Sequence, residues 1–168
     1  MTCNYRIGII SDTHIPHSAH HLPAEVFTGF AGVDLILHAG DIITWAVIEE
    51  LSTVAPVEAV YGNMDFPEVR RRLKRRRIVK LGNKRIGLIH GDGASGSPVT
   101  RARQAFRQVD CIVFGHSHRP YNEIHGGVLM FNPGSPTDRR MMPMGSFGIL
   151  HVTKDGIRGE HHYLEPLR

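Results

Sequence analysis

Five times along this 168-residue chain, a short apolar and β-branched run breaks off into a polar cluster of Asp, His, Asn and Gly. The runs occupy residues 5–10, 34–37, 57–61, 85–89 and 111–114. The clusters that follow are Ser11-Asp12-Thr13-His14, His38-Ala39-Gly40-Asp41, Gly62-Asn63-Met64-Asp65, His90-Gly91-Asp92 and Gly115-His116-Ser117-His118. Layered α/β folds bind their ligands beyond the carboxyl ends of their strands. A set of strands that all end this way is therefore expected to converge on one site. Glycine ahead of an Asp, Asn or His helps, because it lets the chain turn sharply enough for the side chain to face inward.

Between the runs the periodicity turns helical. Residues 23–30 place Val26, Phe27 and Phe30 on one side, and residues 45–53 do the same with Trp45, Ile48 and Leu51. Ser97-Pro98 opens a third helix, Ser as cap and Pro at the first position, expected to run to about residue 108. Residues 78–81 and 85–89 flank Gly82-Asn83 and read as a hairpin. The C-terminal part alternates β-rich runs, around 128–131, 147–152 and 157–163, with Gly and Pro turns. Hydrophobic residues make up 41 %, enough for a core in one domain over residues 1–168. No stretch is long and apolar enough to cross a bilayer. Residues 5–10 lack the longer apolar region and small-residue cleavage site of a secretion signal. Cys3 and Cys111 match no metal-finger spacing, so each is expected to pack as a small hydrophobe in a reduced, cytoplasmic setting.

Taken in order and at strand ends, the five clusters resemble the calcineurin-like metallophosphoesterase superfamily, most closely its small single-domain bacterial and archaeal phosphodiesterase branch. The resemblance runs from residue 7 to about residue 151 and includes the Ser11-Asp12-Thr13-His14 opening and the Asn132-Pro133-Gly134-Ser135 turn. It implies a four-layer αββα sandwich, two mixed β-sheets packed face to face and flanked by helices. It also implies two divalent metal ions, Mn2+ first, with Ni2+, Fe2+, Zn2+ or Mg2+ as alternatives. Asp12, His14, Asp41 and His118 match the ligands of one ion. Asp41, Asn63, His90 and His116 match those of the second, with the Asp41 carboxylate bridging. The implied activity is hydrolysis of a phosphate ester, a phosphodiester by preference, through attack of a metal-bridging hydroxide. The donor chemistry agrees: imidazoles and carboxylates without thiolate suit Mn, Fe, Ni or Zn. Two ions roughly 3.5–4 Å apart can share a water, lower its pKa and clamp phosphate oxygens during in-line attack.

Met64 stands where larger members of the superfamily carry a His. A thioether cannot donate a proton, so Asp65 is an acid–base candidate without its usual partner. His17, in a loop with His20 and His21, is the candidate to supply the leaving group's proton. His38 and Asn132 are expected behind the ligands rather than among them. His125, His151, His161 and His162 read as structural.

Residues 70–77 hold seven of the 20 Lys and Arg and no acid, and taking these seven from the formal net charge of +4 leaves the rest at −3. One reading is a short helix anchored by Val69 and Leu73, with its arginines in solvent or at an oligomer contact. The other is capture of polyanions, which would make the protein a nuclease or a nucleic-acid binder. No aromatics interleave the arginines as a stacking platform requires. The expected partners are a phosphate-ester substrate and further copies of the chain, as a dimer or tetramer, with nucleic acid left open. A protein-binding scaffold of the same fold, as the retromer subunit is, remains the alternative from another class. Such a scaffold has no reason to keep His14, His90, His116 and His118 together.

Overall fold

In the computed structural model, which describes residues 4–165, period-two burial decides which way each strand faces. In β1 (Tyr5–Ile10), Ile7 and Ile9 enter a core shared with a second sheet, while Ile10 faces the other way, against helices. From the opposite layer β5 (Lys84–Ile89) sends Ile86 and Leu88 into the same core. Cys111 and Val113 of β6 (Cys111–Val113), Leu129 and Phe131 of β8 (Val128–Asn132), and Leu150 and Val152 of β9 (Ser146–Val152) fill it out. Cys111 is fully buried, and burial pushes its thiol pKa up, so it packs as the inert small hydrophobe expected. Cys3 lies outside the described residues.

With β2 (Leu35–His38), β3 (Val57–Ala59) and β10 (Ile157–Tyr163), the first sheet has the order β10-β9-β1-β2-β3. With β4 (Arg76–Leu81) and β7 (Tyr121–His125), the second has the order β4-β5-β6-β8-β7. Both are mixed: β1, β2 and β3 run parallel, as do β5, β6 and β8, and antiparallel strands lie outside them. Outside the first sheet lie α1 (Ala24–Phe30), α2 (Ala46–Ser52) and α3 (Pro67–Arg72), seated through Val26, Phe30, Val47, Leu51 and Val69. Outside the second lies α4 (Pro98–Gln104), where Ala102 and the following Phe106 pack on Ile112, Phe114 and Met130. Two glycines make room for the helical layers. A Cβ on Gly8 would stand 2.9 Å from the Phe30 ring, and one on Gly87 would stand 2.8 Å from Phe106. The result is the four-layer αββα sandwich. Its helices, seven residues or fewer, are too short to stand alone. Each fully buried Ile or Leu contributes about 1.5–3 kcal/mol, so inter-sheet packing is what holds the strand ends in place. Because β1, β2 and β3 are parallel, and β5, β6 and β8 likewise, the polar clusters of each sheet emerge at one edge.

Three departures from the sequence reading have local causes. β7 carries no apolar run, because it is an edge strand held to β8 by backbone pairing from Tyr121↔Asn132 to His125↔Val128. α4 ends at Gln104, short of residue 108, and Phe106 leaves the helical path for the space over Gly87. The basic segment is not one helix. It breaks at Leu73, whose φ of −114° and ψ of 161° are extended, and it ends in the edge strand β4.

Candidate metal centre

The clusters do converge, and their backbone is strained where they do. Asp12, His14, Asp41, His116 and His118 adopt φ of 54°, 46°, 55°, 68° and 58°. Each such residue costs about 1–3 kcal/mol and persists only where its surroundings hold it. Here they do: Asp12 N–H donates to Gly40 O at 3.0 Å, His14 N–H to Asp41 O at 3.1 Å, and His116 N–H to Asp12 Oδ2 at 3.0 Å. The last bond crosses from the second sheet's strand ends to the first's. The glycines serve two purposes. Gly40, at φ 96°, makes the turn expected of it. Gly62 and Gly115 provide close approach instead: a Cβ on Gly62 would lie 2.2 Å from Asp41 Oδ1, and one on Gly115 would lie 2.0 Å from Ser11 Oγ.

Six of the seven expected ligands form two groups, Asp12–His14–His118 and Asp41–His90–His116, with the donor atoms of each group within 4.8 Å of one another. Asp12 Oδ1 is 3.3 Å from His118 Nε2 and 3.9 Å from His14 Nε2. Asp41 Oδ2 lies 3.3 Å from His14 Nε2 in one group and 3.2 Å from His90 Nε2 in the other. His116 Nδ1 faces His90 Nε2 at 3.3 Å. Despite these approaches, His14 Nε2 and His118 Nε2 are buried without a hydrogen-bond partner among the described residues. Two imidazole nitrogens aimed at carboxylates yet unbonded fit a divalent cation between them. Tautomers agree: His90 Nδ1 must donate to Ala39 O, 2.8 Å away, and His118 Nδ1 to Asp138 O, which leaves each Nε2 with a lone pair turned to the site.

Without a cation, charge balance falls to protons. Burial would lower His14 and His90, but the Asp12 and Asp41 carboxylates outweigh it and hold both at about 9. Burial would likewise raise Asp12 and Asp41, yet the facing imidazoles, with Ser11 beside Asp12 and the Met64 N–H on Asp41, keep both below the ordinary carboxylate range. Burial and the neighbouring His90 lower His116.

Around the two groups stands a hydrogen-bonded frame. His38 is fully buried, accepts from Gly40 N–H at 3.2 Å and donates to Thr13 Oγ1 at 3.1 Å. Burial pulls its pKa down to about 3, so it is a neutral brace. Asn132 donates to Gly115 O at 2.9 Å and Ser117 Oγ at 3.0 Å, clamping the turn between His116 and His118. Asp65, read from sequence as an acid–base candidate, is turned to the backbone instead. It accepts from Gly62 and Ile43 N–H at 2.6 Å each and from Asp41 N–H at 3.2 Å, clasping two clusters together. His17 is exposed and joins neither group; its ring meets Phe66 edge-on at 5.8 Å. Asn63 is exposed beside Met64, its side chain without hydrogen bonds among the described residues. Its carbonyl accepts from Arg70, which also donates to Asp65 O at 2.9 Å. Sequence reading missed Asp138, whose carboxylate lies 3.7 Å from both His14 and His118. It follows the Asn-Pro-Gly-Ser turn, and nothing in its own sequence context marks it.

The basic segment is largely spent within the molecule. Arg72 lies over Trp45 and pairs with Glu68 at 2.9 Å, Arg75 pairs with Asp92 at 3.1 Å, and Arg77 pairs with Glu58 at 2.5 Å. Arg76 donates to Ala105 O at 2.9 Å, and Arg70 holds the Asn63–Asp65 turn.

Over residues 5–155 the sequence matches the family described as the calcineurin-like phosphoesterase superfamily domain. The chain belongs to that superfamily. A protein of Methanothermobacter thermautotrophicus named as a probable metallophosphoesterase is 40% identical over 137 residues, covering 80% of this chain and 79% of its own. Among solved structures, vacuolar protein sorting 29 from Cryptosporidium parvum superposes with a TM-score of 0.76 at 21% identity, covering 97% of this chain and 99% of its own. A structure described as a novel archaeal phosphodiesterase gives 0.74 at 23% identity, covering 95% and 99%. These two likenesses bear on the fold, and they agree with the αββα sandwich. Family membership makes this calcineurin-like chain a metal-dependent phosphoesterase, a hydrolase whose two donor groups are the candidate metal positions. Among the described residues no helix is long and apolar enough to cross a membrane.

Proposed function

We propose that this calcineurin-like phosphoesterase is a phosphodiesterase working with two divalent ions, Mn2+ foremost. The observation that carries the reading is Asp41 Oδ2, set between His14 of one donor group and His90 of the other. Two buried imidazole nitrogens without hydrogen-bond partners among the described residues stand beside it. Asp12, His14 and His118 would hold one ion, His90, His116 and Asn63 the other, and Asp41 would be shared. When bound, the ions supply Lewis acidity, giving a water of lowered pKa and compensating charge on phosphate oxygens.

The chain's own residues do the rest. Ala39 and Asp138 carbonyls keep His90 and His118 in the tautomer that offers Nε2. Asp65 and the Met64 N–H, 2.8 Å from Asp41 Oδ1, fix the orientation of the shared carboxylate. Met64 itself brings no proton to a leaving group, which favours esters whose alcohols leave readily. A fold relative described as an archaeal phosphodiesterase supports the diester preference. Because most of the arginines at 70–77 already have intramolecular partners, nucleic-acid capture forms no part of this proposal.

The test is metal-free protein reconstituted with Mn2+, Ni2+, Zn2+ or Mg2+ and assayed on an aryl phosphodiester and its monoester. Metal-dependent hydrolysis faster on the diester is expected, and Asp41→Asn should abolish it. Full activity in Asp41→Asn overturns the shared-carboxylate reading, and a faster monoester reaction overturns the diester preference.

A further inference from the structure

Beyond the Asn132-Pro133-Gly134-Ser135 turn, the loop leading to β9 runs back beneath the metal centre and is stitched to it residue by residue. Ser135 Oγ donates to Asp12 O at 2.7 Å and accepts from Asp138 N–H at 2.8 Å. Thr137 Oγ1 donates to Thr13 O at 2.5 Å. Asp138 O accepts from His118 Nδ1, and Asp138 Oδ2 stands 3.7 Å from His14 Nδ1 and 3.7 Å from His118 Nδ1. The two rings meet edge to face, centroids 5.0 Å apart, with this one carboxylate near the Nδ1 edge of each, while the bond to His118 Nδ1 itself is made by the Asp138 carbonyl. Their opposite edges are the buried Nε2 atoms, without hydrogen-bond partners among the described residues, that face Asp12 and Asp41.

We propose that Asp138 is a positioning residue for the Asp12–His14–His118 group, its carbonyl bonding His118 and its carboxylate, close to both Nδ1 edges, orienting the imidazoles electrostatically so that each Nε2 is presented to a divalent cation. This rests on the two-ion reading above and deepens it. A carboxylate behind a ligating imidazole fixes the ring and makes it a better donor, and removing such a partner weakens metal binding about 10–100-fold. The two groups are unequal in this respect. Among the described residues His90 Nδ1 bonds the Ala39 carbonyl, and neither His90 nor His116 pairs with Asp138. Loss of the Asp138 charge should therefore weaken the binding of one ion and leave that of the other unchanged.

Asp138→Asn is the informative change, because the bonds to His118 and Ser135 are made by the backbone of residue 138 and survive it. Metal-free wild type and variant are titrated with Mn2+ by calorimetry, and bound metal is counted after dialysis. Wild type is expected to take two ions. Asp138→Asn should take one with unchanged affinity and a second about 10–100-fold more weakly, while Asp138→Glu regains much of the loss. An unchanged thermal midpoint without metal shows that the fold is intact. Two ions at unchanged affinity in Asp138→Asn, or equal weakening of both, overturns the assignment of Asp138 alone. A wild type that takes up no ion overturns the two-ion reading, and this inference with it.

Discussion

Proton competition at the donor set is expected to make metal uptake by this chain steeply pH-dependent. His14 and His90 sit one in each group, and the facing carboxylates raise both from 6.5 to about 9. A divalent cation needs the unprotonated nitrogen. Below pH 9 each ion must therefore displace one proton, and its affinity should rise tenfold per pH unit, about 1.4 kcal/mol. Between pH 6.5 and 8.5 this amounts to about 100-fold per ion. His116 gives no proton, since burial and His90 already keep it neutral. Calorimetric titration with Mn2+ at pH 7.5, in two buffers of different ionisation enthalpy, counts the protons released; about two per chain are expected once both ions are bound. The metal-free protein should show the opposite trend. Stability from the protonated His14 and His90 is complete below about pH 6.5 and is lost as pH rises through about 9. The thermal midpoint of metal-free protein should thus fall across the window in which metal-induced stabilisation grows. Negligible proton release, with affinity flat from pH 6.5 to 8.5, would refute the reasoning.

Two substitutions probe the site from other directions. In Gly115→Ala the new Cβ would lie 2.0 Å from Ser11 Oγ and 2.6 Å from Asp12 Oδ2, displacing a hydroxyl that donates to Asp12 at 2.7 Å. Losing that charged hydrogen bond and overpacking the turn should cost about 2–5 kcal/mol in urea unfolding; a loss below about 0.5 kcal/mol would mean Ser11 moves aside freely. Met64→His puts an imidazole beside the Met64 N–H that bonds Asp41, and turnover of alkyl esters should rise about tenfold or more if a general acid limits it. An unchanged rate would show that residue 64 does not limit catalysis.

The convergence of the clusters was legible because it depends on a pattern the chain cannot hide: apolar strands that end in donors. What stayed hidden depends on three-dimensional packing. β7 is polar because, as an edge strand, it is held by backbone pairing rather than by an apolar face. Asp65 has the sequence context of a catalytic acid, yet its carboxylate is consumed by three N–H groups drawn from two strand ends, a distribution visible only once β2 and β3 are neighbours. Asp138 lies 124 residues beyond His14 and 20 beyond His118, so nothing in its local sequence links it to either ring. Gly62 and Gly115 were read as turn residues, whereas what they provide is the absence of a Cβ next to a carboxylate. The arginines of residues 70–77 are conspicuous in composition, but their partners Glu58, Asp92 and the Ala105 carbonyl lie far off in sequence.

Each donor group draws on both sheets: Asp12 and His14 follow β1 and His118 follows β6, while Asp41 follows β2, His90 follows β5 and His116 follows β6. A cation at either position would act as a rivet through two stacked plates. Sliding one sheet over the other by an ångström would change the spacings between donors on different sheets, such as Asp12 to His118 and Asp41 to His90, all at once. The centre is thus a gauge of inter-sheet alignment, tying the mechanics of the whole scaffold to the occupancy of a few cubic ångströms.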